Sequence, residues 1–453
     1  MSVQSERAAI AAAVDRASDT RAIITGAGAL KETGDLFISQ FGRHPALLIC
    51  DDITAGIALT AVRENLESAG VTVIGEMILP GNPTVKPEVE ISQAIARELN
   101  GSLAIPIAIG AGTINDLVKY GAALAKRSYL IVATAASMDG YAASGAALIA
   151  NGFKQTFACP APQAVLADLD VSRNSPSAMT SSGYADLIGK ITAGADWILA
   201  EAVGIEAIDP TVWAMVQPWV RHLLPAAEKV RAHNPESLEA LVNGLLMSGL
   251  AMQASGTSRP ASGSEHQFSH YWEMQGLSVD QIPVSHGFKV GVGSLAVSAV
   301  YESLLNLTES DLERAATDRW PKFSSIETTI NSWKDDPRVI ERAVIESRAK
   351  YPSNDLRINH VKRLRANWPE LQHRLREQLL PAAELRDVLQ SAGCPVTAEA
   401  IGLSRKRLKG AYAAARQIRR RYTVLDTVTE LGRFDRFVDD LFKPTGFWGA
   451  GER

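Results

Sequence analysis

Short apolar runs alternate with helical patterns through the first third of the chain. Each run is continuous rather than alternating with polar residues, which is typical of parallel strands covered on both faces. Pro87 suits the first turn of one intervening helix, because that position needs no backbone N–H. This rhythm predicts a doubly wound parallel sheet. The predicted strands are Ala22–Thr25, Ala46–Cys50, Val71–Gly75, Leu103–Ile109 and Tyr129–Ala133, and the predicted helices are Leu30–Phe41, Ala55–Ala69, Pro87–Asn100 and Asn115–Lys126.

The remaining two thirds of the chain is mainly helical in pattern. Asn234 is a good helix N-cap, and apolar residues from Leu238 to Gly249 then recur on one helical face. A chain of 453 residues exceeds one ordinary core. We therefore expect an α/β N-terminal domain with a parallel sheet at 1–175 and a mainly α-helical domain at 176–453. The other helices predicted here are Arg338–Lys350, Pro369–Leu380, Ala382–Ser391 and Ser404–Tyr422.

Composition and charge exclude several classes of protein. A net charge of -4 and a pI near 6.1 give no basic field for nucleic acid or an anionic membrane. The sequence contains no run of about 18 consecutive apolar residues, which is the length that a membrane span needs. The alanine-rich run Ala8–Val14 is typical of an amphipathic helix rather than a signal peptide. Three cysteines lie far apart without a CxxC motif, which indicates neither disulfides nor a thiolate metal site. We expect a cytoplasmic protein without nucleic-acid partners or membrane insertion.

A glycine-containing loop, Gly110-Ala111-Gly112-Thr113, follows one predicted strand and opens a predicted helix. Such a loop lets backbone N–H groups and the helix dipole meet a pyrophosphate. Neither this loop nor the similar Gly26-Ala27-Gly28 completes GxGxxG, so a tight strand-to-helix turn explains each equally well. Asp51 precedes the loop in sequence, whereas the ribose-binding acid of the common dinucleotide fold follows it. Asp51 either holds ribose hydroxyls and disfavours NADP, or caps a helix.

Three of the eight histidines fall in one stretch, at His266, His270 and His286. The first two share a face if the segment is helical, because they are four residues apart. Two neutral imidazoles and a carboxylate would suit Zn²⁺, Fe²⁺ or Ni²⁺ and leave positions open for a substrate. Gln267 stands where the HExxH motif has its glutamate, so a zinc-protease site is not indicated. Histidine pairs are also common as hydrogen-bonded packing groups, and the spacing leaves both interpretations open.

Six segments together resemble the glycerol-1-phosphate dehydrogenase family, within the dehydroquinate synthase-like and iron-containing alcohol dehydrogenase superfamily. They are spread over nearly the whole chain and occur in the family's order, which is more specific than any single motif. The segments are Gly110–Tyr120 (GAGTINDLVKY), Ala133–Tyr141 (ATAASMDGY), Gly183–Lys190 (GYADLIGK), Ser258–Glu273 (SRPASGSEHQFSHYWE), His286–Gly293 (HGFKVGVG) and Arg420–Leu431 (RRYTVLDTVTEL).

The resemblance implies a dehydroquinate synthase-like fold and a homodimeric, metal-dependent oxidoreductase. It implies interconversion of dihydroxyacetone phosphate and sn-glycerol 1-phosphate with NAD or NADP. It also implies one divalent metal, with Zn²⁺ most suitable and Ni²⁺ or Fe²⁺ as alternatives. Two departures are Ala111, where a third glycine is usual, and Ala143, where a serine often binds cofactor. The implied residues are Asp186, His266 and His286 for the metal; Asp139 and His270 for catalysis; and Asp51, Gly110, Ala111, Gly112, Thr113, Asp116, Thr134 and Ser137 for the dinucleotide.

Three other functions are compatible with the same residues. One is a dehydroquinate synthase-like lyase that uses NAD⁺ only transiently, and another is a dehydrogenase of a different polyol or polyol phosphate. A third is a catalytically inactive NAD-binding regulator, which would have no need of the three candidate metal ligands. A substrate phosphate would require cationic partners, and Lys154, Arg259 and Lys289 are the cations nearest the motifs.

Overall fold

A computed structural model describes residues 3–82, 84–317 and 320–449, which form two compact units. The first unit runs to Leu187, resumes over Thr211–Ser258 and includes Ser391–Gly393. The second comprises Ile188–Pro210, Arg259–Gln390 and the chain from Cys394 onward. This division differs from the single boundary predicted near residue 175. The physical reason is that the helices of 211–258 pack within the unit that contains the sheet.

Ten strands are present among the described residues, and six of them form one parallel sheet. The strands are β1 (Ala22–Gly26), β2 (Ala46–Asp51), β3 (Val73–Leu79), β4 (Ile105–Gly110), β5 (Leu130–Ala133), β6 (Ala146–Ala150), β7 (Phe153–Phe157), β8 (Ala164–Asp168), β9 (Ser278–Val279) and β10 (Ile282–Pro283). The sheet has the order β1-β8-β5-β4-β2-β3, with every neighbouring pair parallel. The predicted α/β class and parallel sheet are therefore confirmed.

Most of the described residues outside the strands lie in helices. They are α1 (Val3–Val14), α2 (Thr33–Phe41), α3 (Asp52–Thr54), α4 (Thr60–Ser68), α5 (Val89–Asn100), α6 (Gly112–Leu124), α7 (Leu169–Arg173), α8 (Ser177–Ile188), α9 (Lys190–Ala202), α10 (Pro210–Leu223), α11 (Ala227–Arg231), α12 (Pro235–Ser255), α13 (Ser264–Met274), α14 (His286–Leu305), α15 (Glu309–Thr317), α16 (Phe323–Asn331), α17 (Pro337–Lys350), α18 (Asn354–Ala366), α19 (Trp368–Gln378), α20 (Ala382–Ser391), α21 (Arg405–Gln417), α22 (Val424–Glu430) and α23 (Phe434–Leu441).

The sheet of the first unit differs from its prediction in one strand. All five predicted strands are present within a few residues, although β3 begins at Val73 and continues to Leu79. Strand β8 was not predicted, yet it is buried throughout and lies between β1 and β5. Its apolar run, Ala164–Ala167, is only four residues long and lies between the polar residues Gln163 and Asp168, so it is a weak strand signal. The antiparallel β6–β7 hairpin was also missed.

Helix α12 packs with the sheet unit along its whole length. Asn234 caps it, since its side chain accepts a hydrogen bond from the N–H of Ser237 at 3.1 Å, and Gly256 ends it in the left-handed conformation. Near its end the Gln253 side-chain oxygen Oε1 accepts from the Thr20 N–H at 3.1 Å, just before β1. These contacts explain why residues 211–258 belong to the first unit.

The second unit is helical apart from the β9–β10 hairpin. Helices α13 and α14 pack so closely that a Cβ on Gly293 would lie 2.6 Å from the Glu265 carbonyl oxygen. Helix α14 is the one described helix long and apolar enough to cross a membrane, but 83% of its apolar window is buried inside the protein. It is therefore a core helix of this unit.

Candidate active site

The carboxyl ends of β2, β4 and β5 meet at one edge of the sheet. The last residue pair of the β2–β4 ladder is Ile49 with Ala108, so Asp51 and Gly110 each follow that pair by two residues at the carboxyl ends of neighbouring strands. From the other neighbouring strand, the Thr134 N–H donates to the Gly110 carbonyl at 3.2 Å. The acid and the glycine loop are thus adjacent in space although their sequence order is reversed. Ligands of open α/β sheets bind at this carboxyl edge.

The loop from Gly110 to Thr113 opens helix α6. Ala111 is the N-cap residue, and no side chain caps this helix end. The first N–H groups of α6 are therefore without a capping side chain, which suits an anion. The glycines also have a packing role, because a Cβ on Gly110 would lie 2.6 Å from the Ile114 Cβ and one on Gly112 would lie 2.5 Å from the Met138 Cε. The loop is therefore a tight strand-to-helix turn, and its role in binding phosphate stays a prediction.

Asp51 caps a helix, as one of its two predicted roles required. Its Oδ1 accepts from the Thr54 N–H at 2.7 Å and from the Thr54 hydroxyl at 2.8 Å. These bonds do not use Oδ2, which forms no hydrogen bond among the described residues. The adjacent Asp52 accepts from the Gly81 N–H at 2.9 Å. The Asp51 side chain therefore caps the helix with Oδ1 and leaves Oδ2 available to a ligand.

Two of the predicted dinucleotide contacts have structural partners. Asp116 forms an ion pair with Lys119 at 3.2 Å and accepts from the Ala147 N–H at 3.1 Å, which ties the β6–β7 hairpin to α6. Ser137 Oγ lies 3.0 Å from the Tyr141 hydroxyl, which donates to the Ala135 carbonyl. Burial raises the pKa of Tyr141 to about 12, so the phenol is neutral. Both side chains hold the shape of the sheet edge.

Asp139 and Asp186 are linked directly within the first unit. The Asp139 N–H donates to Asp186 Oδ2 at 2.9 Å, and Asp139 Oδ2 accepts from the Ser248 hydroxyl at 2.9 Å. Asp186 is fully buried and Asp139 nearly so. Ser248 was not singled out by the sequence, because it lies inside the apolar run of α12 with no motif around it.

Three histidine rings converge in the second unit. His266 and His270 are one turn apart on α13, with ring centroids 6.1 Å apart. His286 is the first residue of α14, and its ring centroid lies 5.3 Å from that of His266 and 6.1 Å from that of His270. Ser285 caps that helix, since its hydroxyl accepts from the Phe288 N–H at 3.4 Å. The helical spacing predicted for the first pair is confirmed.

Buried carboxylates orient these histidines. Glu265 Oε1 lies 2.7 Å from His266 Nδ1, and Glu273 Oε1 lies 2.9 Å from His286 Nδ1. When Nδ1 faces a carboxylate, Nε2 is left as the lone-pair nitrogen that can bind a metal. Burial opposes ionisation of Glu265, but hydrogen bonds from His266 and Gly263 hold its pKa below the ordinary value. Neither glutamate was predicted from the sequence, although Glu265 lies one residue from His266 and Glu273 lies three residues from His270.

A buried aspartate fixes the start of α13. Asp196 Oδ2 accepts from the N–H of Ser264 at 2.6 Å and from its hydroxyl at 2.7 Å. Its Oδ1 accepts from the Tyr301 hydroxyl at 2.7 Å, which connects α9 to α14. Burial and the nearby Glu265 charge raise the pKa of Asp196 to about 6. This network sets the position from which the α13 histidines project.

One possible metal-binding group occurs among the described residues. The ligand atoms of Asp186, His266 and His286 all lie within 4.8 Å of one another. One carboxylate and two imidazoles are a donor set that suits Zn²⁺, Ni²⁺ or Fe²⁺, so these residues fit a divalent metal. His270 is not in this group. Burial, with the charge of Arg419, lowers the pKa of His270 to about 3, so its ring is neutral near pH 7.

Lys289 and Arg259, which were proposed as partners of a substrate phosphate, are held by protein groups. Lys289 Nζ is buried, donating to the Val284 carbonyl at 2.8 Å and pairing with Glu273 at 3.2 Å. Arg259 is 1% exposed and donates to two backbone carbonyls. Lys154 lies on β7, paired with Ile149 of β6. No sequence pattern separates such structural cations from cations that bind a ligand.

Comparison with known proteins places this geometry among related enzymes. Residues 24–176 match the family described as iron-containing alcohol dehydrogenase. A glycerol-1-phosphate dehydrogenase (NAD(P)+) from Bacillus licheniformis is 32% identical over 291 residues, covering 64% of this chain and 72% of the relative. One from Methanosarcina barkeri is 34% identical over 278 residues, covering 61% and 75%. A solved glycerol dehydrogenase from Schizosaccharomyces pombe shares the fold, with a TM-score of 0.60 and 14% identity over 94% of this chain and 91% of that one.

Proposed function

The chain belongs to the glycerol-1-phosphate dehydrogenase family, and we propose that it interconverts dihydroxyacetone phosphate and sn-glycerol 1-phosphate with NAD or NADP. The observation that carries this proposal is the convergence of Asp186, His266 and His286, with ligand atoms within 4.8 Å of one another. A regulator or simple binding protein has no use for such a donor set, whereas a ketone reductase does.

Asp186, His266 and His286 would hold the divalent metal, and Zn²⁺, Ni²⁺ and Fe²⁺ all suit these donors. A metal held there would supply Lewis-acid stabilisation of the charge that develops on the substrate oxygen during hydride transfer. Glu265 and Glu273 keep the two imidazoles in the tautomer that presents Nε2. The Ser248 hydroxyl and the Asp139 N–H position the two aspartates.

The dinucleotide lies at the carboxyl edge of the sheet. The uncapped N-terminus of α6, with Gly110 to Thr113, binds the pyrophosphate through backbone N–H groups. Asp51 Oδ2 accepts hydrogen bonds from the ribose hydroxyls while Oδ1 remains in the α3 cap. The segment from Thr134 to Ser137 follows β5 and lines the adjacent part of this edge. In this assignment Asp116 supports the loop indirectly, through Lys119 and Ala147.

His270 relays the substrate proton. Its ring, supported by Glu273, takes the hydroxyl proton as the alcohol is oxidised and returns it as the ketone is reduced. Its Nδ1 lies 3.6 Å from Glu273 Oε2, so one carboxylate supports both His270 and His286. Asp139, fixed by Ser248, contacts the substrate hydroxyl group.

A substrate comparison tests this proposal. The purified, metal-loaded protein is given NADH or NADPH with dihydroxyacetone phosphate, with dihydroxyacetone, and in reverse with the two glycerol phosphate enantiomers. We expect net cofactor oxidation with the phosphorylated ketone and reverse activity with sn-glycerol 1-phosphate. Activity only with unphosphorylated polyols, or only with sn-glycerol 3-phosphate, contradicts it. Turnover without net cofactor consumption would instead indicate the lyase.

The same family membership supports two further proposals, on the location of the protein and on its oligomeric state. The protein acts in the cytoplasm, and it is a homodimer. Cell fractionation tests the first, and light scattering of the purified protein tests the second. Recovery in the membrane fraction, or a monomer at micromolar concentration, would contradict them.

A further inference from the structure

Arg419 lies in the short segment that joins α21 to α22. Helix α21 was predicted to extend to Tyr422, but it ends at Gln417, so Arg419 lies outside the helix. The Gln267 side-chain amide donates to the Arg421 carbonyl at 3.2 Å, which holds the segment against α13. Gln267 and His270 are three residues apart on that helix and share a face. The segment therefore runs past the proposed proton relay.

The Arg419 guanidinium lacks the partners that its neighbours have. Glu346 binds Arg420 at 3.0 Å on one oxygen and Arg342 at 3.1 Å on the other. Arg419 forms no ion pair within 4.0 Å among the described residues, and its Nε is buried without a hydrogen-bond partner. The side chain is only partly exposed. A partly buried cation without hydrogen bonds is costly, which indicates a site shaped for an anion.

The charge of Arg419 acts on the catalytic region. Burial and the like charge of Arg342 lower the pKa of Arg419. After burial, Arg419 is the strongest influence on the pKa of His270. Arg342 also has a buried Nε without a partner. Glu346 thus binds Arg342 and Arg420, whereas Arg419 feels the charges of Glu346 and Glu273 only from beyond ion-pair distance.

We propose that Arg419 binds the phosphate group of the substrate and provides the preference for a phosphorylated over a free polyol. This inference rests on the proposed function. Guanidinium presents a planar fork of N–H donors that matches phosphate oxygens, and it stays charged when partly buried. A three-carbon substrate at His270 carries its phosphate only a few bonds from the reacting carbon, within reach of a neighbouring arginine. Lys289 and Arg259 are already occupied by protein groups.

The test compares two substrates in each of four proteins: wild type, Arg419→Met, Arg419→Lys and Arg420→Met. The quantity measured is kcat/KM for dihydroxyacetone phosphate divided by kcat/KM for dihydroxyacetone. Losing the charged hydrogen bonds should lower this ratio about 100-fold in Arg419→Met. Arg419→Lys should fall between, because lysine keeps the charge but not the fork. Arg420→Met should keep the wild-type ratio, since Arg420 is exposed and its partner Glu346 retains Arg342.

The ratio is insensitive to partial loss of folded protein, because both substrates meet the same enzyme. Inorganic phosphate supplies a second readout: it should inhibit dihydroxyacetone reduction by the wild type and Arg420→Met, and about 100-fold more weakly in Arg419→Met. An unchanged ratio or unchanged phosphate inhibition in Arg419→Met overturns the inference. If the wild type itself does not prefer the phosphorylated ketone, the proposed function fails instead, so the two failures are distinct.

Discussion

The glycine loop of the first unit and the histidine cluster of the second are built on opposite principles. The loop is held by backbone bonds and apolar contacts, with Ile114 and Met138 pressed against Gly110 and Gly112. The histidines are held by buried charge, with Glu265 and Glu273 against their Nδ1 atoms. A substitution in the glycine loop therefore changes steric packing. A substitution in the histidine cluster instead leaves a buried polar group without its hydrogen-bond partner.

The largest expected effect comes from removing a proposed metal ligand. His266→Ala should purify with little metal and lose roughly 10³-fold or more in kcat, because the Lewis acid supplies several kcal/mol. Metal content is measured by elemental analysis, and activity by NADH oxidation. A His266→Ala protein with full metal content would show that His266 packs rather than binds.

Variants of His270 and His266 should differ in metal content when they are measured in the same assays. We expect His270→Ala to retain its metal, since the three ligands remain, and to lose about 10²–10⁴-fold in kcat through poorer proton transfer. His270→Gln is the matched control for packing, because glutamine fills much of the same space and can form hydrogen bonds but has no titratable ring. Loss of metal from His270→Ala would place this residue among the ligands instead.

The orienting carboxylates should have smaller effects than the ligands themselves. Glu265→Gln keeps the shape and one acceptor oxygen but removes the charge that holds His266 in its tautomer. Metal affinity should fall about 10–100-fold, as measured by competition with a chelator. Glu377→Gln is a suitable control, because Glu377 is 70% exposed and remote in sequence from the cluster. Equal affinities in the two variants would assign Glu265 to folding alone.

The loop should respond through stability before it responds through cofactor binding. Gly110→Ala places a methyl group 2.6 Å from the stiff Ile114 Cβ and should destabilise the cofactor-free protein by about 1–3 kcal/mol. Gly112→Ala meets only the flexible end of Met138, so its stability should change less while its KM for the dinucleotide rises. Denaturant unfolding and NADH titration measure the two effects. Equal stability losses would remove the distinction.

The smallest expected effect is on cofactor choice. Asp51→Asn retains a good helix cap but removes the negative charge that would repel a 2′-phosphate. The ratio of kcat/KM for NADPH to that for NADH should rise roughly tenfold. Asp51→Ala should show the same shift together with a stability loss of about 1 kcal/mol from the lost cap. An unchanged ratio in both variants would mean that Asp51 does not touch the ribose.

Local pattern was sufficient where burial follows the chain's own periodicity. Continuous apolar runs predicted β1, β2, β4 and β5 because central parallel strands are covered on both faces. The same reasoning predicted α12 from its Asn234 cap and placed His266 and His270 on one helix. It failed for β8, whose apolar run is only four residues long, and for the end of α21, where the helical pattern continues past Gln417.

By itself the sequence determined the α/β class, the helical remainder, the family and the residue types available for a metal and a dinucleotide. Only the tertiary structure decided which side chains meet. It placed Asp51 beside Gly110 through strand order, and it brought the ligand atoms of Asp186 within 4.8 Å of those of two histidines that follow it by 80 and 100 residues. It also separated Arg419, without a carboxylate partner, from the occupied Lys289 and Arg259. The periodicity of a segment shows which of its faces is buried. Whether side chains from distant segments meet depends on how those segments pack together, and no local sequence pattern encodes this packing.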